Sequence, residues 1–382
     1  MTEYNLAFVI EKYFEFGGLQ RDMRRIASAC AKAGHNVTVF TGNWQGPADN
    51  SLNIQLVNFS ACSNHRKMKN IQRFVQSLRR SRGFDCIVGF NRVGTLDVYF
   101  AGDTCLKAKL HRAGKSWLAL LPRYRTYLAL EKAVFGPSTA TDIMMISQPE
   151  LENFTRLYNT PAERIHLLPP GIDRRLAANP FSDDEKKTFR ADLDIAADDL
   201  MLLTVGSGFR TKGVDRAIAA LAALPTSIKE KFKYVIVGRG KQKAFRKIAA
   251  RAALADNVVF TGGRNDIACF YHAADLLIHP ARTENTGTVI LEAMTAGLPV
   301  LVTANCGYAH YVADANAGIL CPEPFEQQKL NRILQDLLTK APHLAEYRAN
   351  ALNYCQNADI YQMTEKAVEL ILNRAEKNRV NK

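Results

Sequence analysis

Two carboxylates, Glu284 and Glu292, lie eight residues apart in the segment spanning residues 282–303. The apolar run before Glu284, at residues 276–280, predicts a buried strand that stops at proline. The residues after Glu284 are predicted to open a helix, whose first backbone N–H groups lack partners and favour a phosphate. These residues are Asn285, Thr286, Gly287 and Thr288. One glutamate would contact the group beyond the phosphates and the other, lying deeper, a ribose diol. The flanking elements favour this interpretation over two exposed glutamates at chance spacing.

A glycine-rich turn at residues 205–216, which contains Gly208, opens the second half of the chain. Thr211 stands where a dinucleotide fingerprint needs glycine, and Lys212 precedes the last glycine instead of following it as in a P-loop. Arg210 and Lys212 would oppose the dipole of the predicted helix, so a bound anion is their natural partner. We expect these cations to neutralise a departing diphosphate. A solvated basic turn is the alternative.

Two further sites of possible chemistry lie in the first half. Gly17 and Gly18 occur where a strand turns into a helix, and paired glycines let backbone amides approach a ligand closely. The alternative is an ordinary turn. Asp22, one turn further on, either reaches a ligand or favours the positive end of the helix dipole. Asp103 follows an apolar run and either orients or deprotonates an acceptor hydroxyl, or caps the next helix.

A basic segment at residues 105–130 contains six Lys or Arg and no acid, with aromatic residues between leucines. This composition suits an interfacial helix, in which cations contact lipid phosphates and aromatic rings lie at headgroup depth. The predicted membrane contacts are Lys107, Lys109, Arg112, Lys115, Trp117, Arg123, Tyr124 and Arg125. A solvated helix face is the alternative. No signature of a nucleic-acid-binding module accompanies the segment, so nucleic acid is not expected as a partner.

The elements that must position these residues alternate throughout the chain. Short apolar runs separated by helical stretches predict parallel sheets covered on both faces, and 382 residues suit two such domains. The weakly periodic, Pro-rich stretch at residues 170–199 is the best boundary. The predicted fold is therefore α/β, with two doubly wound Rossmann-like domains that face each other across a cleft and direct their loops into it.

Net charge and cysteine spacing limit the partners and the cellular compartment that the sequence suits. The net charge is +13, and residues 1–175 carry 24 Lys or Arg against 14 Asp or Glu, a net +10. A basic half predicts an anionic partner. The eight cysteines are scattered without a Cys-x-x-Cys pair, which favours reduced core thiols of a cytosolic protein over a zinc site. Neither a signal peptide nor an apolar run long enough to span a membrane is expected.

Taken together, these motifs resemble the retaining glycosyltransferases of the GT-B fold that carry the Glu-x7-Glu signature. The chain is most similar to the lipopolysaccharide core branch, which adds glucose in α-1,3 linkage to the first inner-core heptose. The segments that carry the resemblance are YFEFGGLQRD, GFNRVGTLDVYFAGD, LLPPGI, GSGFRTKGVDR, GGRNDI, the Glu284 to Glu292 block and NCGYAHYVADANAG. The resemblance implies an acceptor-binding domain at residues 1–169, completed by a crossover helix at 360–382, and a nucleotide-sugar domain at 170–359.

The resemblance also implies roles for individual residues. Lys212 would bind the diphosphate, and Glu284 with the 285–288 amides would contact the sugar and phosphate. Glu292 would bind the ribose, and Arg264 would line the uracil pocket. The predicted catalytic residues are Asp22, Asp103, Lys212 and Glu284. The predicted donor contacts are Gly17, Gly18, Arg174, Gly208, Arg210, Thr211, Arg264, Asn285, Thr286, Gly287, Thr288 and Glu292.

In two of these assignments the role stays open. Asp22 and Asp103 would face the acceptor, with Asp103 either a base or an orienting group. The family commonly has arginine where Thr211 stands, and whether Arg210 replaces it is open. Tyrosine is common at Arg282, and proline at Glu15.

The implied reaction is metal-independent transfer of glucose from UDP-glucose with retention, without a cofactor. The implied enzyme is a cytoplasmic monomer, peripheral on the inner face of the inner membrane, with the basic segment touching the anionic surface. The donor sugar stays open between glucose, galactose and N-acetylglucosamine. The alternatives are another lipid-linked or polysaccharide acceptor, an epimerase of the same fold, and a non-catalytic membrane-bound nucleotide-sugar sensor.

Overall fold

The computed structural model describes residues 2–15, 17–47, 49–176, 181–339 and 342–380. The chain divides into two compact units. Unit 1 comprises Met1–Gly171 together with Gln362–Lys382, and unit 2 comprises Ile172–Tyr361. The divisions expected from the sequence, after residues 169 and 359, each lie two residues before the observed ones.

Unit 1 is built on a sheet whose strands are all parallel. The strands of unit 1 are β1 (Asn5–Ile10), β2 (Tyr13–Phe14), β3 (Asn36–Thr41), β4 (Trp44–Gln45), β5 (Asn53–Leu56), β6 (Cys86–Gly89), β7 (Val98–Ala101), β8 (Asp142–Met145) and β9 (Ile165–Leu167). Seven of them form the order β5-β3-β1-β6-β7-β8-β9, and β2 pairs with β4 separately. The first five helices are α1 (Gly18–Lys32), α2 (Asn64–Ser81), α3 (Leu106–Arg112), α4 (Pro122–Phe135) and α5 (Gln148–Tyr158), with 3-10 turns at Ser116–Leu120 and Ala162–Arg164.

Alternate side chains of the interior strand β1 enter different cores. Phe8 of β1 packs in an apolar cluster with Met23 of α1, whereas Val9 packs in a second cluster with Ile71 of α2. Because successive strand side chains point to opposite faces, both faces of the sheet are covered by helices. The sheet is therefore buried, as the continuous apolar runs predict.

Unit 2 repeats this construction with a parallel sheet in the order β12-β11-β10-β13-β14-β15. The strands are β10 (Leu200–Val205), β11 (Phe232–Val237), β12 (Val258–Gly262), β13 (Leu276–His279), β14 (Val300–Thr303) and β15 (Gly318–Cys321). The helices are α6 (Asp183–Ala191), α7 (Val214–Ala222), α8 (Thr226–Lys229), α9 (Gln242–Arg251), α10 (Ile267–Ala273), α11 (Thr288–Thr295), α12 (Ala309–Asp314), α13 (Gln327–Thr339) and α14 (Pro342–Asn357), with a 3-10 turn at Arg174–Leu176. Leu203 of β10 packs with Ile290 of α11, and Leu202 with Ile218 of α7, so α7 and α11 cover opposite faces.

The last helix, α15 (Met363–Val380), belongs to unit 1. Its Ile371 side chain is fully buried in the cluster that contains Phe8. Arg374 donates to the Asp142 carboxylate at 3.1 Å, and the Asn378 amide donates to the Asp85 carbonyl at 2.9 Å. These contacts tie the end of the chain to the unit in which it began.

The predicted fold class, two doubly wound parallel-sheet domains, is confirmed. Strands β5 and β9 lie at the two edges of the unit 1 sheet. They comprise only Asn53–Leu56 and Ile165–Leu167.

Candidate functional site

Glu284 lies in the turn between β13 and α11, where its backbone forms an isolated parallel bridge with Cys306. Gly287, the N-cap of α11, has φ of +82°, a left-handed conformation in which a side chain would be strained. The helix begins at Thr288. The predicted start is therefore too early, because residues 285–287 form the preceding turn and only the last of the four predicted residues is helical.

The Glu284 carboxylate contacts two basic side chains. Lys212 forms an ion pair with it through Nζ, and the two side chains are only 18% and 15% exposed. The fully buried His279 brings Nε2 to 3.4 Å from the same carboxylate oxygen. Burial raises the pKa of Glu284, but the contacts with His279 and Lys212 outweigh it and set the pKa at about 2. Glu284 is therefore ionised at neutral pH.

The glycine-rich turn brings Lys212 to Glu284 by a close approach of two backbones. Gly213 has φ of +75°, and a Cβ there would lie 2.0 Å from the Pro280 carbonyl oxygen. Only glycine fits, and it allows the turn before α7 to abut the end of β13. A Cβ on Gly206 would lie 2.9 Å from Lys212 Cε. Lys212 precedes the first residue of α7, Val214, as predicted, but its partner in the structure is a carboxylate of the same unit.

Arg282 forms a bidentate ion pair with Asp215, with both N–O distances 2.7 Å. Asp215 is thereby occupied, and the Arg210 guanidinium lies 4.0 Å from it with its side chain 80% exposed. Thr211 is exposed beside it, and Gly208 takes a left-handed conformation with open space where a side chain would project. Arg210 is thus the more accessible cation of this turn.

The other predicted donor residues of unit 2 have distinct surroundings. Glu292, on α11, is 7% exposed and accepts a hydrogen bond from the Tyr271 hydroxyl at 2.8 Å. Arg264 is exposed and forms a bidentate pair with Asp266 at 2.8 and 2.6 Å. Arg174 lies over the Tyr361 ring at 3.9 Å. The structure brings Glu284 and Lys212 together and gives each of the remaining residues a separate partner.

Sequence reasoning missed two supports of this turn. His279 lies in the apolar run 276–280 and is fully buried, but it also contacts Glu284. The segment after β14 holds the loop, since Tyr308 N donates to the Thr286 carbonyl at 2.8 Å and Asn305 Nδ2 donates to the Arg282 carbonyl at 3.0 Å. The motif CGYAHY marks this segment in the sequence, although nothing in its pattern indicates these hydrogen bonds.

In unit 1, α1 begins at Gly18 with Gly17 as its N-cap. A Cβ on Gly17 would lie 2.0 Å from Gln20 Oε1, whereas nothing lies within 4 Å of one on Gly18. The backbone amides of this turn therefore stand at the helix start that the paired glycines predict. Asp22 is half-buried on α1.

Asp103 lies in the exposed loop after β7, as its position after an apolar run predicts. The alternative that it caps the next helix is wrong. Cys105 is the N-cap of α3, with Sγ accepting from Ala108 N at 3.4 Å. The buried Glu131 carboxylate also accepts from Leu106 N at 2.9 Å, so the orphan amides are satisfied without Asp103.

The composition of the basic segment predicts an interfacial helix, but the segment is not a single helix. It forms α3, a 3-10 turn and α4, because Gly114 takes a left-handed φ of +63° and Pro122 starts a new helix. Among the predicted membrane contacts, the exposed residues are Lys109, Arg112, Lys115, Trp117, Arg123 and Arg125. Trp117 is 62% exposed and the neighbouring Leu120 79%. Lys107 and Tyr124 are half-buried, and Lys107 Nζ donates to the Leu157 carbonyl at 3.0 Å.

No helix in the described ranges combines the length and the apolarity needed to cross a bilayer. All eight cysteines are free thiols, and six of them are buried.

Two family models cover most of the chain. The model described as Glycosyl transferases group 1 matches residues 185–354, and the one described as Glycosyltransferase Family 4 matches residues 16–176. The chain is 41% identical to lipopolysaccharide glucosyltransferase WaaG of Escherichia coli (strain K12) over 368 residues, which is 96% of this chain and 98% of WaaG.

Solved structures give the same result. A crystal structure of WaaG, a glycosyltransferase involved in lipopolysaccharide biosynthesis, superposes with a TM-score of 0.91 and covers 96% of this chain and 99% of its own. Sucrose-phosphate synthase from Thermosynechococcus elongatus superposes with a TM-score of 0.78 over 100% of both chains at 21% identity, which shows the fold alone.

The two parallel-sheet units and these matches define a glycosyltransferase of the GT-B fold. The chain belongs to the same glycosyltransferase family as lipopolysaccharide glucosyltransferase WaaG and carries a Glycosyl transferases group 1 domain and a Glycosyltransferase Family 4 domain.

Proposed function

We propose that the enzyme transfers glucose from UDP-glucose to an inner-core heptose of lipopolysaccharide. The observation that carries the proposal is the ionised Glu284 held against Lys212 at the end of β13, in a chain 41% identical to a lipopolysaccharide glucosyltransferase over nearly its full length. An ammonium and a carboxylate that meet at a helix start suit a sugar diphosphate, since one binds the phosphates and the other the sugar hydroxyls.

Donor binding would exchange the partner of Lys212. Its ammonium turns from Glu284 to the diphosphate, and Arg210 adds a second, exposed cation. Glu284, which keeps its contact with His279, then accepts hydrogen bonds from the glucose hydroxyls. Glu292 is assigned to the ribose diol, the 285–288 amides to the phosphate, and Arg264 and Arg174 to the nucleotide side.

The reaction we propose retains the configuration at the anomeric carbon and uses no metal. The bond between that carbon and the diphosphate oxygen breaks, and UDP leaves with its charge stabilised by Lys212 and backbone amides. The heptose hydroxyl attacks from the face that UDP leaves, with Asp103 accepting or orienting its proton. The amides of Gly17 and Gly18 are assigned to the diphosphate and Asp22 to the acceptor.

We place the enzyme on the cytoplasmic face of the inner membrane. The exposed cations of the basic segment and the exposed Trp117 support this assignment, because cations attract anionic headgroups and tryptophan favours the interface. The monomeric state and the absence of a cofactor remain predictions.

The decisive experiment presents UDP-glucose, UDP-galactose and UDP-N-acetylglucosamine separately, with and without a heptose-bearing core acceptor, in the presence of a chelator. We expect one hexose to be added from UDP-glucose alone, and the new anomeric proton to show the α configuration by NMR. A changed donor without acceptor would indicate an epimerase. Binding of UDP-glucose without any product would indicate a sensor, and transfer only to a different glycan would replace the acceptor.

A further inference from the structure

A cavity of about 680 Å³ lies within unit 1 beside Asp103. Its lining includes the carboxylates Asp103 and Glu11 and, from the basic segment, Lys109, Lys115 and Arg123. The volume is that of a typical small-molecule site. The basic segment is thus the wall of a cavity as well as a surface.

The charges that line this cavity are unevenly neutralised. Glu11 pairs with Lys67 at 2.9 Å, and both therefore have partners. Lys109, Lys115 and Arg123 are exposed, and within the described ranges no carboxylate lies within 4 Å of their nitrogens. Arg92 also lines the cavity but pairs with Glu131. The lining therefore combines three cations without a carboxylate partner and the Asp103 carboxylate, a set that suits a ligand carrying both an anion and hydroxyl groups.

Two aromatic rings line the same cavity as the cations. Tyr124 and Tyr127 are half-buried and line the same cavity, and the Arg123 guanidinium lies 6.0 Å from the centre of the Tyr127 ring. An aromatic face next to hydrogen-bonding groups suits a sugar ring, whose C–H face is apolar and whose edge is polar. A simple anion would use the cations alone.

The wall is fixed to the rest of the unit by a buried carboxylate. Glu131 on α4 is fully buried, pairs with Arg92 and accepts from Lys107 N at 3.2 Å and from the Tyr158 hydroxyl at 2.6 Å. Arg92 in turn donates to the Asp103 carbonyl at 3.0 Å. The same ion pair therefore positions both the cationic wall and the loop that carries Asp103, so the cavity is preformed.

We propose that this cavity binds an anionic saccharide of the acceptor. Lys109, Lys115 and Arg123 contact its carboxylate or phosphate, the tyrosines pack against its ring, and the neighbouring sugar hydroxyl is presented to Asp103. This inference rests on the proposed function, since it names the part of the acceptor that unit 1 recognises. It also assigns three cations of the basic segment to the substrate in addition to the membrane.

The test uses the heptose-bearing core oligosaccharide freed of its acyl chains, so that no membrane takes part. Its equilibrium binding to the full-length enzyme is measured by calorimetry, and KM and kcat are measured with UDP-glucose. The variant is Lys109→Gln/Lys115→Gln. The matched control is Lys69→Gln/Lys132→Gln, which removes two exposed cations from α2 and α4 that do not line the cavity.

We expect the cavity variant to weaken oligosaccharide binding and raise KM by about tenfold, with kcat nearly unchanged and the control unaffected. Dephosphorylated and carboxyl-reduced forms of the oligosaccharide identify the anion, because the form that lacks it loses the difference between wild type and variant. Binding by the variant equal to that of the wild type, or no binding by the wild type, overturns the inference. A third outcome is that the wild type binds the oligosaccharide but transfers no sugar to it, while the variant fails to bind. That outcome would support the binding cavity and refute the proposed function.

Discussion

The turn around Glu284 in unit 2 and the cavity beside Asp103 in unit 1 are both rich in charge, yet they treat it differently. In unit 2 the ammonium of Lys212 already has a partner in Glu284, and both side chains are mostly buried. In unit 1 the cavity-lining Lys109, Lys115 and Arg123 are exposed. The ion pair of Glu131 and Arg92 is mostly buried and holds the Asp103 loop and the start of α3. A ligand of unit 2 must therefore replace an ion pair, whereas a ligand of unit 1 adds one. The first arrangement favours selectivity, and the second favours capture.

The largest effect is expected when the ion pair of unit 2 is broken. Lys212→Ala removes the ammonium that stabilises the departing diphosphate, and we expect kcat to fall by about 10³-fold. Steady-state transfer from UDP-glucose measures this, with the exposed Lys241→Ala as the control. A Lys212→Ala enzyme that keeps near-wild-type transfer would contradict the proposed mechanism.

Removal of the support in unit 1 is expected to affect stability more than chemistry. Glu131→Ala leaves Arg92 buried without its carboxylate partner, and we expect the free energy of unfolding of unit 1 to fall by about 3–5 kcal/mol. Urea denaturation followed by circular dichroism measures the loss, with the exposed Glu163→Ala as the control. An unchanged unfolding midpoint would show that the carboxylate does not hold the basic segment.

Acid is expected to weaken the ion pair of unit 2. The pKa of Glu284 is lowered from its ordinary value of 4.5 to about 2. A carboxyl group with a lowered folded-state pKa contributes stability that is complete above about pH 4.5 and is lost as the pH falls towards 2. The contribution is at most about 3 kcal/mol. Urea titrations between pH 6 and 3 should therefore show a steeper loss of unfolding free energy for the wild type than for Glu284→Gln. Parallel curves for the two proteins would show that Glu284 does not cause the acid sensitivity.

The smallest effect is expected at Glu292 in unit 2 and tests its assignment to the ribose. Glu292→Gln keeps an acceptor for the Tyr271 hydroxyl but weakens the contact proposed for the ribose, so we expect KM for UDP-glucose to rise by about tenfold with little change in kcat. The comparison substrate is the 2′-deoxyribose analogue of UDP-glucose. It should bind the wild type and the variant about equally. If the two enzymes still differed in KM for this analogue as much as for UDP-glucose, Glu292 would not contact the ribose hydroxyl.

Most of the fold could be predicted because apolar runs report burial directly. The strands at 5–10 and 276–279, the turn that carries Glu284 and the loop that carries Asp103 all follow from such runs. The contacts among distant residues could not be predicted in this way. His279 lies in an apolar run and resembles any core residue, and its contact with Glu284 depends on where the turn folds back. Glu131 lies just beyond the basic segment. Only the packing of α4 on α3 shows that Glu131 accepts from the first amides of α3, a capping role that the sequence offered as one alternative for Asp103.

The return of the chain to unit 1 has a practical consequence. Ile172 N donates to the Ile360 carbonyl at 3.0 Å, and on the other side of the division Met363 N donates to the Pro170 carbonyl at 3.3 Å. Unit 2 is thus an insertion whose two ends are neighbours, the condition under which a module can be excised, exchanged or permuted without dismantling its host. If unit 2 binds the donor as proposed, exchanging it between relatives at these paired backbones should carry donor specificity with it.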